Sequence, residues 1–497
     1  MRRYVLVLVP ALAPALALAF TVAGCGAPKK AATGLARVKA AGVLRWGGDI
    51  QGGEPYVFDD PTHPGTLVGF EVDLAGAVAR ELGVRAEFVQ NDWSNLIPSL
   101  ERGSFDVALN GIEVTPARAG RVLFTRPYYV FAERLMARRD DVRPKDLASL
   151  AGLRVGTLAN SQAWEMLRAA GAVAVPYEGV EEPYIDLENA RTDAVLLDDI
   201  IADRYGLPHA GLRVVGDLGE GYYAVAVAAS EADLHAAVDA ALAKIAASGE
   251  LRAILARWKI DSAREDALAT WTDEDTRRIA GAAAAPAFGA RHVVLFLQGA
   301  LVTLAVSVGA MLLAIPLGMG LALTRQYAPR AVAAVASAYV EVWRGTPVLL
   351  QLYIIYYGLA AWVRMDALPA AILGLGLNYA AYESEVYRAG LESVPKGQME
   401  AAVSLGMSTP LALRRIIVPQ ALRVSLPGVT NDFIALLKDS SLVSVITVVE
   451  LTKRMTIAAV DVRSWAVPGL LCAALYFAMS YPLSRLARVL EERLAKG

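Results

Sequence analysis

The residues able to do chemistry in this chain are few and scattered. Four histidines occur in 497 residues, and no cluster of histidine, cysteine and carboxylates has the spacing of a metal site. No lysine follows a glycine, so there is no G-K-[ST] loop and no means in this chain of cradling nucleotide phosphates. No kinase or nucleophile motif is present either. These absences describe a protein that is not an enzyme and uses no cofactor or metal. The remaining candidates are charges in unusual surroundings. Glu383, Glu385, Lys438 and Asp439 lie within apolar runs, where an ionised side chain is costly unless paired or wetted. They line a polar path or, for Lys438 and Asp439, satisfy each other. Cys25 is a different candidate. Arg2 and Arg3, an uncharged run from Tyr4 to Phe20 and then Val22-Ala23-Gly24-Cys25 outline an export signal. Read as a lipobox, residues 1–25 are a lipoprotein signal peptide and Cys25 accepts lipid; read as cleavage at small residues, Cys25 is incidental. Either reading places the next domain of the chain outside the cytoplasm. With Cys472 the only other cysteine, no disulfide framework exists.

The elements that must position such groups fall into two solvents. The hydrophobic fraction is 55% and the mean hydropathy +0.40, so part of the chain is dissolved in lipid. A net charge of -2 gives no reason to expect nucleic acid. From 36 to 260 short β-branched runs (Val43–Trp46, Ala86–Val89, Val107–Leu109, Leu153–Gly156, Ala194–Leu197, Tyr223–Val227) alternate with helical periods such as Phe70–Leu82. That alternation predicts parallel sheets covered by helices, with ligands at the carboxyl ends of the strands. Residues 261–291 read as a linker with one short helix. Beyond them, 292–490 hold about five apolar spans, near 293–324, 335–363, 367–387, 426–449 and 464–484. With the amino-terminal domain outside, the basic segments 325–330, 392–423 and 485–496 fall in the cytoplasm, as the positive-inside rule asks, although Lys453, Arg454 and Arg463 do not.

One cytoplasmic segment, 395–423, interrupts the spans with two short helices. Pro395 suits a helix start and Gly406 a left-handed stop. Ser408 or Thr409 before Pro410 caps a second helix that ends near Pro419. On geometry alone this is an amphipathic connector.

Its residues say more. Glu400-Ala401-Ala402, then Gly406, then Ile416-Ile417-Val418-Pro419, resembles the EAA loop of ABC importer permeases, with valine where leucine is usual. Gly299–Leu304, Trp343–Pro347, Ala381–Arg388, Lys396–Gln398 and Lys438–Leu442 resemble the polar amino-acid branch of that family. The resemblance implies coupling helices, in which Glu400, Ala401, Ala402, Gly406, Ile416 and Pro419 dock on a separate ATPase subunit. It also implies a pair of permease copies in the plasma membrane.

Residues 36–260 resemble family 3 solute-binding proteins, through Gly69–Leu74, Trp93–Pro98, Gly111–Arg118 and Phe124–Tyr129. Their two lobes would be 36–134 with 227–260, and 135–226. The resemblance implies an amino-acid ligand held by Arg118 at its carboxylate, Asp198 at its ammonium, Trp93 as a stacking wall and Ser161 as a hydroxyl at a helix start, with Asp49 and Gly111 in the same site. Two departures bear on the side chain. Glu113 stands where threonine is usual, and Gly52-Gly53 replaces an aromatic for which Tyr56 could substitute. An added carboxylate favours a cationic ligand such as arginine or a diamine, or it pairs with Arg118, or it points outward. The fold class expected is therefore a two-lobed α/β binding-protein fold followed by an all-α transmembrane domain of ABC importer type. The runner-up is a ligand-gated channel with a glutamate-receptor-like binding domain, which would need its pore segments inserted in the soluble domain rather than after it.

Overall fold

A computed structural model describes residues 34–281, 287–360, 362–462 and 464–494; the expected signal segment and Cys25 lie outside them. Ten strands occupy the first half: β1 Val43–Gly48, β2 Phe58–Asp59, β3 Leu67–Val68, β4 Arg85–Gln90, β5 Val107–Ala108, β6 Val122–Arg138, β7 Arg154–Leu158, β8 Val173–Tyr177, β9 Ala194–Asp198 and β10 Leu212–Ala228. Apart from the β2–β3 ribbon they form one sheet in the order β4-β1-β5-β10-β6-β9-β7-β8.

The expectation of parallel pairing holds only within each lobe. β1 is parallel to β4 and β5, and β7 to β8 and β9, but β6 and β10 run antiparallel to each other and to their neighbours. Each has 17 residues, long enough at ~3.3 Å per residue to thread both lobes. β6 escapes sequence reading because Arg126, Pro127, Glu133 and Arg134 break its apolar run. The register of β6 on β10 slips between Tyr223 and Ala224 and again before Ala226, and such bulges bend a strand pair. Phe70, Leu74, Tyr128, Phe131 and Tyr223 are fully buried on this pair and its flanking helix. Each such side chain contributes roughly 2 kcal/mol through burial.

The segment expected as a one-helix linker holds two helical pieces, Ala263–Thr270 and Asp273–Ala280. It is not free: Arg264 pairs with Asp199 and Asp217, and Trp271 packs 4.8 Å from the Tyr222 ring.

The second half is helical. Ala290–Tyr327 has 38 residues, about 57 Å at ~1.5 Å per residue, and with Ala466–Val489 it is long and apolar enough to cross a membrane. The expected second span is broken: Arg330–Gly345 ends at Thr346-Pro347, and Val348–Gly358 begins anew. Pro347 cannot donate to the helix ladder, which fixes the break there. The fourth begins at Val418 and ends at Asp439, followed by a tight 3₁₀ stretch, Ser440–Ile446. The basic outer loop is a helix, Leu451–Asp461. Ala367–Ser393 crosses both Ala290–Tyr327 and the helix ending at Asp439. At the second crossing Gly390 is required, since a Cβ there would lie 2.2 Å from the Ser425 hydroxyl oxygen and 2.8 Å from the Ala421 carbonyl.

The cytoplasmic interruption also differs from its expectation. Lys396–Ser404 forms and Gly406 is left-handed at φ 84°. The second helix does not stop near Pro419, however, and Ser408 makes no side-chain cap bond. Thr409–Ala412 runs through one wide π turn, Leu413–Ile417, straight into Val418–Asp439. Pro419 therefore sits inside a continuous run, just after the π turn, where the wider turn accommodates its missing N–H.

Candidate functional site

The lobes meet over a cavity of about 30 Å³. Its walls include Asp49, Tyr56, Trp93, Gly111, Glu113, Ser161 and Asp198, which is every receptor residue singled out in the sequence except Arg118. Asp49 orients rather than offers: its carboxylate accepts from the Gln51 N–H at 3.0 Å, the Gln90 amide at 3.0 Å and the Trp93 N–H at 2.8 Å. Trp93 is held further by its indole N–H on the Asn110 carbonyl at 3.1 Å. Gly111 adopts φ 57°, and its N–H donates to Glu71 at 2.6 Å. Burial pushes Glu71 up to about 7, against the pull of the Tyr128 hydroxyl. Tyr56 supplies the expected wall and joins its hydroxyl to that of Tyr223 at 2.9 Å. Ser161 caps the helix Gln162–Ala169, accepting from the Trp164 N–H at 3.0 Å and donating to the Leu158 carbonyl at 2.9 Å. Its single proton is thus committed within the protein.

Arg118 is carried on one helical turn, Pro116–Ala119, capped by Thr115. Its guanidinium lies 4.8 Å over the Trp93 ring. One nitrogen donates to the Glu113 carboxylate at 2.9 Å and the other crosses to the second lobe, donating to the Asn160 carbonyl at 3.0 Å. The same Glu113 oxygen accepts from the Gln162 N–H at 2.9 Å. Of the alternatives open for Glu113, the structure takes the pairing with Arg118.

Sequence reading missed Glu133 and Tyr223. Glu133 sits on β6 beside Asp198 of β9. One carboxylate oxygen from each of Glu113, Glu133 and Asp198 lies within 4.8 Å of the other two, and all three residues are buried. Tyr223 donates to Asp198. No side-chain donor among the described residues reaches Glu133, whose carboxylate has only a backbone donor near it, the Ala163 N–H. Burial raises all three carboxyls, Glu133 and Asp198 well above their ordinary values, and their mutual repulsion adds to it. A glutamate inside a long hinge strand was the available signal, but nothing local says which way it faces.

The second lobe rests on the helical half. Asp186 accepts from Arg191 at 2.9 Å, from Tyr177 at 2.7 Å and from the Tyr356 hydroxyl at 2.7 Å. Arg191 also donates to the Tyr356 carbonyl at 2.9 Å and lies 3.9 Å over its ring. Lys453–Glu178 and Arg168–Asp461 flank this contact. A cavity of about 730 Å³ runs from Trp93, Arg118 and Asn160 to His292, Leu295 and Asp461, between the cleft mouth and the first long helix.

Within the helices a cavity of about 530 Å³ opens at the break in the second span, lined by Arg344, Thr346, Pro347, Asn378, Tyr379, Tyr382, Asp432 and Asp439 among others. Gln351 satisfies the broken backbone, donating to the carbonyls of Trp343 at 2.9 Å and Thr346 at 3.1 Å. Irregular backbone at membrane depth is tolerated where it lines such a cavity. Lys438 and Asp439 do not satisfy each other, because Asp439 accepts from Tyr379 at 2.8 Å. Glu385 is paired with Arg325 and Arg388, while Glu383 has no cationic partner among the described residues and lies against the Tyr387 hydroxyl. On the unit 395–423 Ala402 and Ile417 are buried, whereas Glu400, Ala401, Gly406 and Pro419 are exposed and Ile416 is half-buried. Val403, Leu405 and Leu411 stand 50%, 84% and 42% exposed beside them.

A hinged two-lobe cleft set on a helical domain with an internal polar cavity defines a solute receptor joined to a membrane permease. Residues 45–261 match the bacterial extracellular solute-binding proteins, family 3, and residues 314–496 the binding-protein-dependent transport system inner membrane component. The chain is 43% identical over 175 residues to the L-cystine transport system permease protein TcyB of Bacillus subtilis, covering 35% of this chain and 75% of that one. It is 38% identical over 217 residues to the octopine transport system permease protein OccM of Rhizobium radiobacter, covering 41% and 88%. Among solved structures, an ancestral arginine-binding protein bound to arginine is 31% identical with a TM-score of 0.41, covering 44% of this chain and 98% of that one. A mutant of ArgBP from T. maritima is 28% identical with a TM-score of 0.43, covering 46% and 100%. The chain belongs to the binding-protein-dependent permease family and carries a family 3 solute-binding domain fused ahead of it, the arrangement of amino-acid ABC importers. Its relatives are transport permeases, not enzymes, and nothing supports the ion-channel reading.

Proposed function

We propose that this chain is the receptor and translocation subunit of an ATP-driven importer for polar amino acids and related amines. The receptor, 36–260, faces the outer side of the plasma membrane, tethered through 261–291 and, if Cys25 is acylated, through lipid as well. Solute bound in the cleft beside Trp93 and Asp198 passes through the cavity above His292 into the permease, 292–490. Fusion keeps the receptor at a high effective concentration beside the gate, replacing capture from solution. Two copies pair to complete the path.

The observation that carries this reading is the exposed face of the unit 395–423. Leu405 and Val403 beside Glu400 form an apolar surface with a carboxylate at its edge, at the foot of a helix that reaches the internal cavity. A separate ATPase seated there would move that helix directly. The test is Glu400→Lys in full-length protein co-expressed with the ATPase encoded beside it: uptake and ATPase co-purification are both expected to fall by about tenfold or more, as for a charge reversal at an interface core. Retention of both rejects the docking assignment.

A further inference from the structure

Ligand carboxylates are held by a cationic fork together with free N–H groups at a helix start. Such a seat exists in this cleft, formed by Arg118 and the Gln162 N–H, and it is filled by the protein. Glu113 places one oxygen 2.9 Å from each donor. It is not a loosely held surface side chain. Glu113 is 2% exposed, its backbone bridges to Tyr223 on β10, and its own carbonyl accepts from Arg118 at 3.1 Å. A ligand carboxylate could take the seat only by leaving Glu113 buried without a partner, beside two more carboxylates.

The other end of the site has the opposite imbalance. Asp198 reaches the cavity with Tyr223 as its donor, and Glu133 stands behind it, 0% exposed and with no side-chain donor. Three buried carboxylates share one guanidinium, so the cleft is short of positive charge and not of negative charge. Tyr56 and Tyr223 bring aromatic rings to this end, which suit an organic cation. A bare divalent ion would want more oxygen ligands than three carboxylates and a tyrosine give.

We propose that the receptor takes a cation without a carboxylate, a primary amine or guanidine of amino-acid size, with Glu113 standing permanently in the place of the ligand carboxylate and Asp198 and Glu133 holding the positive group. This rests on the cleft being the receptor site of an importer, and it narrows the solute to the decarboxylated relatives of basic amino acids.

The test uses matched pairs that differ only in the carboxylate: agmatine against arginine, cadaverine against lysine and putrescine against ornithine. Each is titrated calorimetrically into the purified full-length chain, with Ca²⁺ and Mg²⁺ titrated alone. In every pair that binds, the amine is expected to bind tighter by about tenfold or more, a specificity set by repulsion of the wrong partner. Glu113→Gln frees the seat and should move the ratio toward the amino acid by about tenfold, while Glu133→Gln should weaken the amine by a similar factor. Tighter binding of an amino acid than of its amine, in the wild type and so independent of any variant's folding, overturns the inference and leaves the importer reading standing. Saturable Ca²⁺ or Mg²⁺ binding that displaces the amine also overturns it. If none of these probes binds, the inference is overturned and the importer reading, which also covers neutral polar amino acids, stands.

Discussion

Two buried carboxylate centres in the receptor domain, less than one lobe apart, are built in opposite ways. At the junction Asp186 is matched by Arg191 and two tyrosine hydroxyls, so its charge is satisfied by the protein. In the cleft Glu113, Glu133 and Asp198 share Arg118, and Glu133 has no side-chain donor. The first arrangement is complete without any further molecule and serves as structure. The second leaves carboxylates in excess of cations, and on the proposal made above a ligand cation supplies the balance.

The contrast breaks most visibly if Arg191 is removed. Arg191→Ala leaves Asp186 buried against tyrosines alone, and stripping one partner from a buried pair costs ~3–5 kcal/mol. A fall in the unfolding midpoint of the full-length chain, with loss of uptake, is expected in denaturant titrations; an unchanged midpoint would mean that the junction is not a structural centre. In the cleft the sign reverses. Glu133→Gln removes a buried carboxyl that no side chain pairs and should stabilise the ligand-free chain at pH 8 by ~1–3 kcal/mol. The sign follows from the raised folded value of Glu133. Between the ordinary carboxylate value of 4.5 and that raised value the folded state holds the extra proton, so stability declines as pH rises through this window. The variant should lose that part of the decline; Glu71, raised to about 7, contributes a separate decline that remains in both proteins. A wild-type and variant pair with parallel pH profiles would reject an unpaired Glu133. The smallest effect belongs to the rim of the junction. Arg168 and Asp461 are 40% and 20% exposed, and Arg168→Ala should shift stability by ~0–1 kcal/mol in low-salt unfolding measurements. A loss as large as that at Arg191 would move the centre of the junction outward.

The cleft was more legible in the sequence than the junction, for a physical reason. Trp93, Glu113 and Asp198 come with local signatures, a tryptophan before a helix or a charged residue at a strand end, and each strand or helix could be read from its own period. Phe70–Leu82 agrees with its helix to the residue. β6 was unreadable because a strand threading both lobes is buried on both faces and has no alternation to detect. Glu133 was lost with it. Arg191 and Tyr356 are 165 residues apart and neither belongs to a motif, so only folding brings them together. The broken second span was legible in Thr346-Pro347, but its repair by Gln351 was not. The Lys438–Asp439 reading failed because adjacent helical residues point in different directions, and Asp439 turned instead toward Tyr379.

The uninterrupted run from Thr409 to Asp439 has a mechanical consequence. Its length is about 45 Å at ~1.5 Å per residue, and Pro427 and the π turn at Leu413–Ile417, which holds one residue more than an α turn, are places where it can flex. Its far end carries Asp432 and Asp439 into the internal cavity. A displacement of the near end reaches the cavity wall only through those points of give, so the run links its two ends as a jointed lever rather than a rigid rod.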